Sequence, residues 1–147
     1  MTPAAMSPTV DSWRAAGLSC DGPFEGNVPS GLLQWTCHGT LAGVEIWADV
    51  EGDDKGVFDA QAQVPADTSP ASAGTAFGVL ISATPALSDV ATAATTWVRS
   101  SVGSDGTGSF GSASFILERD VTWLTLSIWP GPRHSVDQAP GAGASRP

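Results

Sequence analysis

One stretch limits the choice of fold more than any other. Residues 31–50, GLLQWTCHGTLAGVEIWADV, alternate apolar and polar side chains with a period of two on both sides of the short loop GTLAG. That is the signature of a β-hairpin with one face turned to a core. On its first strand Leu33, Trp35 and Cys37 share a face, and Gln34, Thr36 and His38 share the other. On its second strand Val44, Ile46, Ala48 and Val50 point inward, while Glu45, Trp47 and Asp49 point outward. After the acidic turn EGDDKG a third strand places Phe58, Ala60, Ala62 and Val64 inward and Asp59, Gln61 and Gln63 outward. Three strands joined by short connections make an antiparallel meander.

The flanking segments complete the pattern. Ser7-Pro8 is an N-cap followed by proline at the first helical turn. Val10, Trp13 and Ala16 then fall on one face of a short helix that stops at Gly17. Cys20 and the Gly/Pro-rich loop DGPFEGNVPSG lead into the hairpin. Residues 73–84 fit a helix ending before Pro85, although TAFGVLIS also suits a buried strand. Residues 87–102 keep a helical i, i+3, i+4 spacing, with Ser88 as its cap and Asp89 at its positive end. SVGSDGTGS is expected as a loop. Residues 110–118 and 121–129 are expected as a fourth and fifth strand, joined by a turn at Arg119-Asp120. The fold expected is an α+β two-layer sandwich, with a roughly five-stranded antiparallel sheet covered by helices on one face. A lead-in over residues 1–8 and a tail over 131–147 flank a single domain at 9–130. Both flanks are expected to be disordered, the tail for its Pro/Gly/Ala-rich composition.

Cys20 and Cys37 are the only cysteines. Both sit beside loop signals and no other residues complete a metal set, so a disulfide is favoured over two buried thiols. A bridge points to an oxidising compartment. The first residues lack the basic and apolar regions of a signal peptide, so an exported domain of this kind is expected to belong to a longer protein. No apolar run approaches the ~20 residues of a membrane helix. The net charge of −9, with Lys55 the only lysine, excludes nucleic acid as a partner and argues against an anionic membrane surface.

The order GLSCDGP, GLLQWTC, VEIWADVEGDDKGVFDAQAQV and AATTWV resembles extracytoplasmic domains of uncharacterised secreted or membrane-anchored proteins of high-GC Gram-positive bacteria. It also resembles the helix-grip or TATA-binding-protein-like class, in which helices pack on one side of a curved antiparallel sheet. The resemblance spans roughly residues 13–129. It implies a fold and a compartment and brings no catalytic residue with it.

No catalytic signature is present. There is no GxSxG elbow, His134 lies in the tail, and His38 is expected on a solvent-facing strand position. Glu51, Asp53 and Asp54 lack the ligand period of a calcium loop, and GSDGTGSFGS lacks the lysine and context of a phosphate loop. No cofactor and no metal are expected. The tryptophans carry more information. Trp13, Trp35 and Trp97 fall on inward faces, but Trp47, Trp123 and Trp129 fall on faces marked as outward. Clustered outward aromatics mark interaction surfaces. Together with Glu45 and Asp49 they form the expected binding face, for a protein or a glycan partner. Two other readings compete with it. One is a hydrolase of cell-wall or polysaccharide material working through Glu45, Asp49 or Asp59. The other is a structural spacer.

Overall fold

A computed structural model describes residues 7–25, 32–53 and 56–131. Residues 1–6 of the lead-in, the loop over 26–31, Asp54 and Lys55 of the acidic turn, the Phe58 side chain, His134 and nearly all of the tail lie outside the described residues, whereas Ser7 and Pro8, expected in the disordered lead-in, form the first turn of a helix. The elements run α1 (Ser7–Ala16), β1 (Leu18–Glu25), β2 (Leu33–Leu41), β3 (Val44–Asp53), β4 (Gly56–Pro65), α2 (Pro70–Ser82), α3 (Ala91–Ser101), β5 (Gly106–Phe110), β6 (Ala113–Arg119) and β7 (Trp123–Trp129). The strands form one antiparallel sheet in the order β1-β2-β3-β4-β7-β6-β5. Four strands run as one meander and three as another, and the two join where β4 pairs with β7. The helices α2 and α3 carry the chain from the middle of the sheet across one face to its far edge.

The class is the α+β sandwich expected, but the sheet has seven strands rather than five. The two additional strands are the edges. β1, LSCDGPFE, contains Gly22-Pro23, and its register with β2 shifts between Asp21 and Phe24. An edge strand tolerates such a break because one side of its backbone needs no ladder partner. β5, GTGSF, carries no apolar alternation to read. Its Gly108 is small for a reason: a Cβ there would stand 2.8 Å from the Trp97 indole. Phe110 closes β5, and the turn at Gly111-Ser112 leads to β6, so the strand expected over 110–118 is the end of one strand and most of the next.

The segment expected as one helix over 87–102 is also divided. Pro85–Leu87 is a 3₁₀ turn, Ser88 belongs to its end, and α3 begins at Ala91 after Val90. Ser88 therefore does not cap α3, and Val90 supplies no side-chain cap. The cap signal is real one helix earlier. Ser69 Oγ accepts from the Ser72 backbone N–H at 3.2 Å, with Pro70 in the first turn of α2. The 73–84 segment is helical, as expected, and starts three residues sooner.

The core lies between the layers. Ile46, Ala48, Val50, Ala60, Ala62 and Val64 from the first meander meet Phe115, Leu117, Leu124, Leu126 and Ile128 from the second, all buried. α2 covers them with Ala73, Ala76, Phe77, Leu80 and Ile81. It packs on β2 and β3 and lies against α1 and α3. Gly74 and Gly78 set the α2–α3 approach: a Cβ on Gly78 would lie 2.8 Å from Thr95 Cγ2. Trp13 is wholly buried, and its indole donates to Thr84 Oγ1 at 3.0 Å while that hydroxyl donates to the Leu80 carbonyl at 2.7 Å. Trp35 is buried with the Arg14 guanidinium 5.1 Å above its ring. Trp97 is half-buried against Phe110 and Phe115.

Cys20 and Cys37 are disulfide-bonded. They lie directly opposite each other on β1 and β2, with Cα atoms 4.1 Å apart. The bridge therefore clamps an edge strand whose register breaks one residue later.

Candidate functional site

The face of the sheet opposite the helices is the candidate site. Its side chains follow from the register, because residues paired across neighbouring strands point to the same side. One row across the sheet reads Ser19, His38, Trp47, Gln63, Thr125 and Glu118. The next reads Asp21, Thr36, Asp49, Gln61, Ser127, Ile116 and Thr107. A third carries Phe24, Gln34, Glu51 and Asp59 on the first meander and Trp129, Ser114 and Ser109 on the second. The middle row holds no aromatic; the row on one side of it carries His38 and Trp47, and the row on the other carries Phe24 and Trp129.

The aromatic row is organised. His38 stacks on Trp47, with ring centroids 4.8 Å apart and planes at 24°. Trp47 meets Trp123 at 5.0 Å in an edge-to-face arrangement, across β4. His38 Nε2 also lies 3.0 Å from Glu45 Oε2. Gln63 donates to Thr125 Oγ1 at 3.3 Å. Trp47, Trp123 and Trp129 are all half-buried on the face opposite the helices, Trp47 and Trp123 against each other.

Charge is distributed unevenly between the layers. Asp21, Glu45, Asp49, Glu51, Asp53, Asp59 and Glu118 all belong to this face. Among the described residues it carries no lysine or arginine. Arg14 and Arg99 are on helices, and Arg119 turns to the helical side, where it donates to the carbonyls of Ala66 and Val102. Asp49 stands out. It is half-buried, and among the described residues nothing hydrogen-bonds or pairs with it. Burial, and secondly the neighbouring Glu51 charge, hold its carboxyl above the ordinary range. Asp120 shows the opposite case: the Trp123 and Thr122 backbone N–H groups hold its carboxyl below the ordinary range.

Scans against protein-family models, curated proteins and solved structures found no match. The functional reading therefore rests on geometry.

Trp47, Trp123, Trp129, Glu45 and Asp49 all lie on the outer face of the sheet. The structure brings Trp47, Trp123, Glu45 and His38 together, with Asp49 two residues along β3 from Trp47. Trp129 lies two rows away, paired with Ser114 on β6. Phe24, 50% exposed on β1, was missed by sequence reasoning because its segment reads as loop. A large apolar side chain between proline and glutamate was the available signal. Glu45 and Asp49 are four residues apart on one strand, about 13 Å. That exceeds both carboxylate separations used in glycoside hydrolysis. A groove of about 420 Å³ lies between α2 and α3, lined by Thr75, Gly78, Val79, Ser82, Ala83, Thr95 and Arg99. It is on the other side of the molecule from the acidic face. Among the described residues no cluster of His, Cys, Asp or Glu could hold a metal ion, and no helix is long and apolar enough to cross a membrane.

Proposed function

We propose that this chain is a non-enzymatic extracytoplasmic domain that binds a ligand or partner on the open face of its sheet. The observation that carries the reading is the Trp47–Trp123 pair with His38 stacked on it, half-exposed on the layer that the helices leave uncovered. Aromatic surface of this kind is what binding faces use, because a rigid ring buries much area at little entropic cost. The Cys20–Cys37 bridge supports the compartment, since such bonds persist where the surroundings are oxidising. The test is an amide NMR titration of the whole chain with neutral oligosaccharides and with short peptides of basic, neutral and acidic composition. Shifts confined to β2, β3, β4 and β7 on the outer face are expected with at least one probe. Shifts only around the α2–α3 groove, or none with any probe, would overturn the proposal.

A further inference from the structure

The two edges of the sheet are not alike. β1 is protected against a further strand: Pro23 has no N–H to give, the register with β2 breaks between Asp21 and Phe24, and Asp21 and Glu25 would set like charges together if two copies met there. β5, GTGSF, has none of these devices. From Gly106 to Ala113 there is no charged residue, in a chain of net charge −9.

The register shows which groups β5 leaves open. Phe110 and Ala113 close the two-residue turn at Gly111-Ser112, so they exchange hydrogen bonds with each other. The ladder alternates from there. Gly108 and Gly106 bond to β6, and the N–H and C=O groups of Thr107 and Ser109 point away from it. Among the described residues no other backbone group bonds to Thr107 or Ser109, and both residues are exposed. On the helical side of the same edge Trp97 lies over Gly108, half-buried against Phe110 and Phe115.

We propose that β5 is a self-association edge, where two copies of the chain pair β5 with β5, antiparallel about a two-fold axis at Gly108. Thr107 of each copy then exchanges both backbone hydrogen bonds with the partner's Ser109, and Gly108 faces the partner's Gly108. A second copy is the occupant because the strand is its own complement. Its open residues are spaced evenly about Gly108, both carry a hydroxyl on the outer face, and cross-strand hydroxyl pairs are favourable. No charge on the strand opposes the approach, and glycine against glycine leaves room for both Trp97 indoles at the joint. A joint of five-residue strands buries less than the about 1,200–2,000 Å² of stable interfaces, so the dimer is a weak one, with Kd on the order of 10–100 µM. Residues paired across strands point to the same side, so the two sheets join with both outer faces together. One dimer thus presents the Trp47–Trp123 pair twice on one surface. The inference does not depend on what that face binds.

Sedimentation equilibrium and amide hydrogen exchange test it on the full chain from about 5 to about 500 µM, in ~150 mM salt to screen the net charge. A monomer–dimer equilibrium is expected, with the Thr107 and Ser109 amides gaining protection only as concentration rises. Thr107→Pro removes an outward N–H and spares the β5–β6 ladder, and Ser109→Lys sets a charge beside the joint. Each should weaken dimerisation about tenfold or more. Ser109→Lys decides the matter if proline lowers Tm. Ser19→Lys makes the same change of charge on the opposite edge strand and should leave the dimer unchanged. A chain that stays monomeric across the whole range would overturn the inference. So would a dimer that survives both β5 variants, or full protection of the two amides already in the monomer.

Discussion

At Ala42 the chain does something an alanine rarely does. Its φ is +51°, and Gly43 follows at +79°, so the β2–β3 hairpin closes on a two-residue turn with both φ angles positive. The sequence shows a five-residue loop there, because an Ala-Gly pair does not announce the turn that Asn-Gly does. Asparagine tolerates the left-handed region better than alanine. Ala42→Asn is expected to stabilise the fold by about 0.5–1 kcal/mol, measured by urea unfolding. A loss would mean that the turn relaxes in solution. Asp49 gives a second residue-level test. Its folded-state carboxyl titrates above the ordinary value of 3.8, so protons bind the folded chain more tightly than the unfolded one. The charge of Asp49 then costs stability as pH rises past the unfolded value, and the whole cost is present above the folded one. Asp49→Asn should raise Tm at pH 7, and the gain should fade as pH falls through the carboxylate range. An unchanged or lower Tm at pH 7 would contradict this. Sequence alternation placed Asp49 on the correct face. It could not show that Thr36 and Gln61 leave the carboxyl unpaired, because that depends on which residues the register sets opposite.

Among the elements, those in the middle of the sheet were legible and those at its edges were not. β2, β3, β4 and β7 have two strand neighbours each and a covered face, so their alternation is strong. β1 and β5 have one neighbour, and their sequences answer to local needs: a backbone break at Gly22-Pro23 and room for Trp97 at Gly108. The helix over 87–102 misled for a similar reason. Its apolar spacing continues through a 3₁₀ turn that buries Leu87 in the same core. The α2–α3 pair can be tested at Gly78. Alanine in a helix interior gains about 1 kcal/mol over glycine. A Cβ 2.8 Å from Thr95 Cγ2 in a packed interface costs about 1–3 kcal/mol. Gly78→Ala is therefore expected to destabilise by about 1 kcal/mol. In a Thr95→Ala background, where the opposing methyl is gone, the same change should become stabilising. A chemical-denaturation double-mutant cycle reads both signs, and a stabilising effect in the native background would show slack between the helices.

For the whole molecule, the disulfide is the largest single constraint on the unfolded chain. Closing a separation of 17 residues is worth about 3 kcal/mol in the chain-entropy account. The double variant Cys20→Ala/Cys37→Ala should lower Tm by about 10 °C in calorimetry, and added reductant should bring the native chain to the same value. A change of only a degree or two would mean that β1 is held by its ladder alone. The sandwich class and the bridge were readable in the sequence because both depend on short-range pattern. The joining of two meanders at β4 and β7 was not, since Gln63 and Thr125 lie far apart in the chain and only the finished sheet makes them neighbours. The separation of charge between the layers has a last consequence. Asp21, Glu45, Asp49, Glu51, Asp53, Asp59 and Glu118 lie on the sheet side, while the described arginines lie on the helical side together with Asp11 of α1, so the sheet side is the more negative of the two. A molecule of net charge −9 built this way is repelled by a polyanionic surface as a whole, and most strongly through its sheet face.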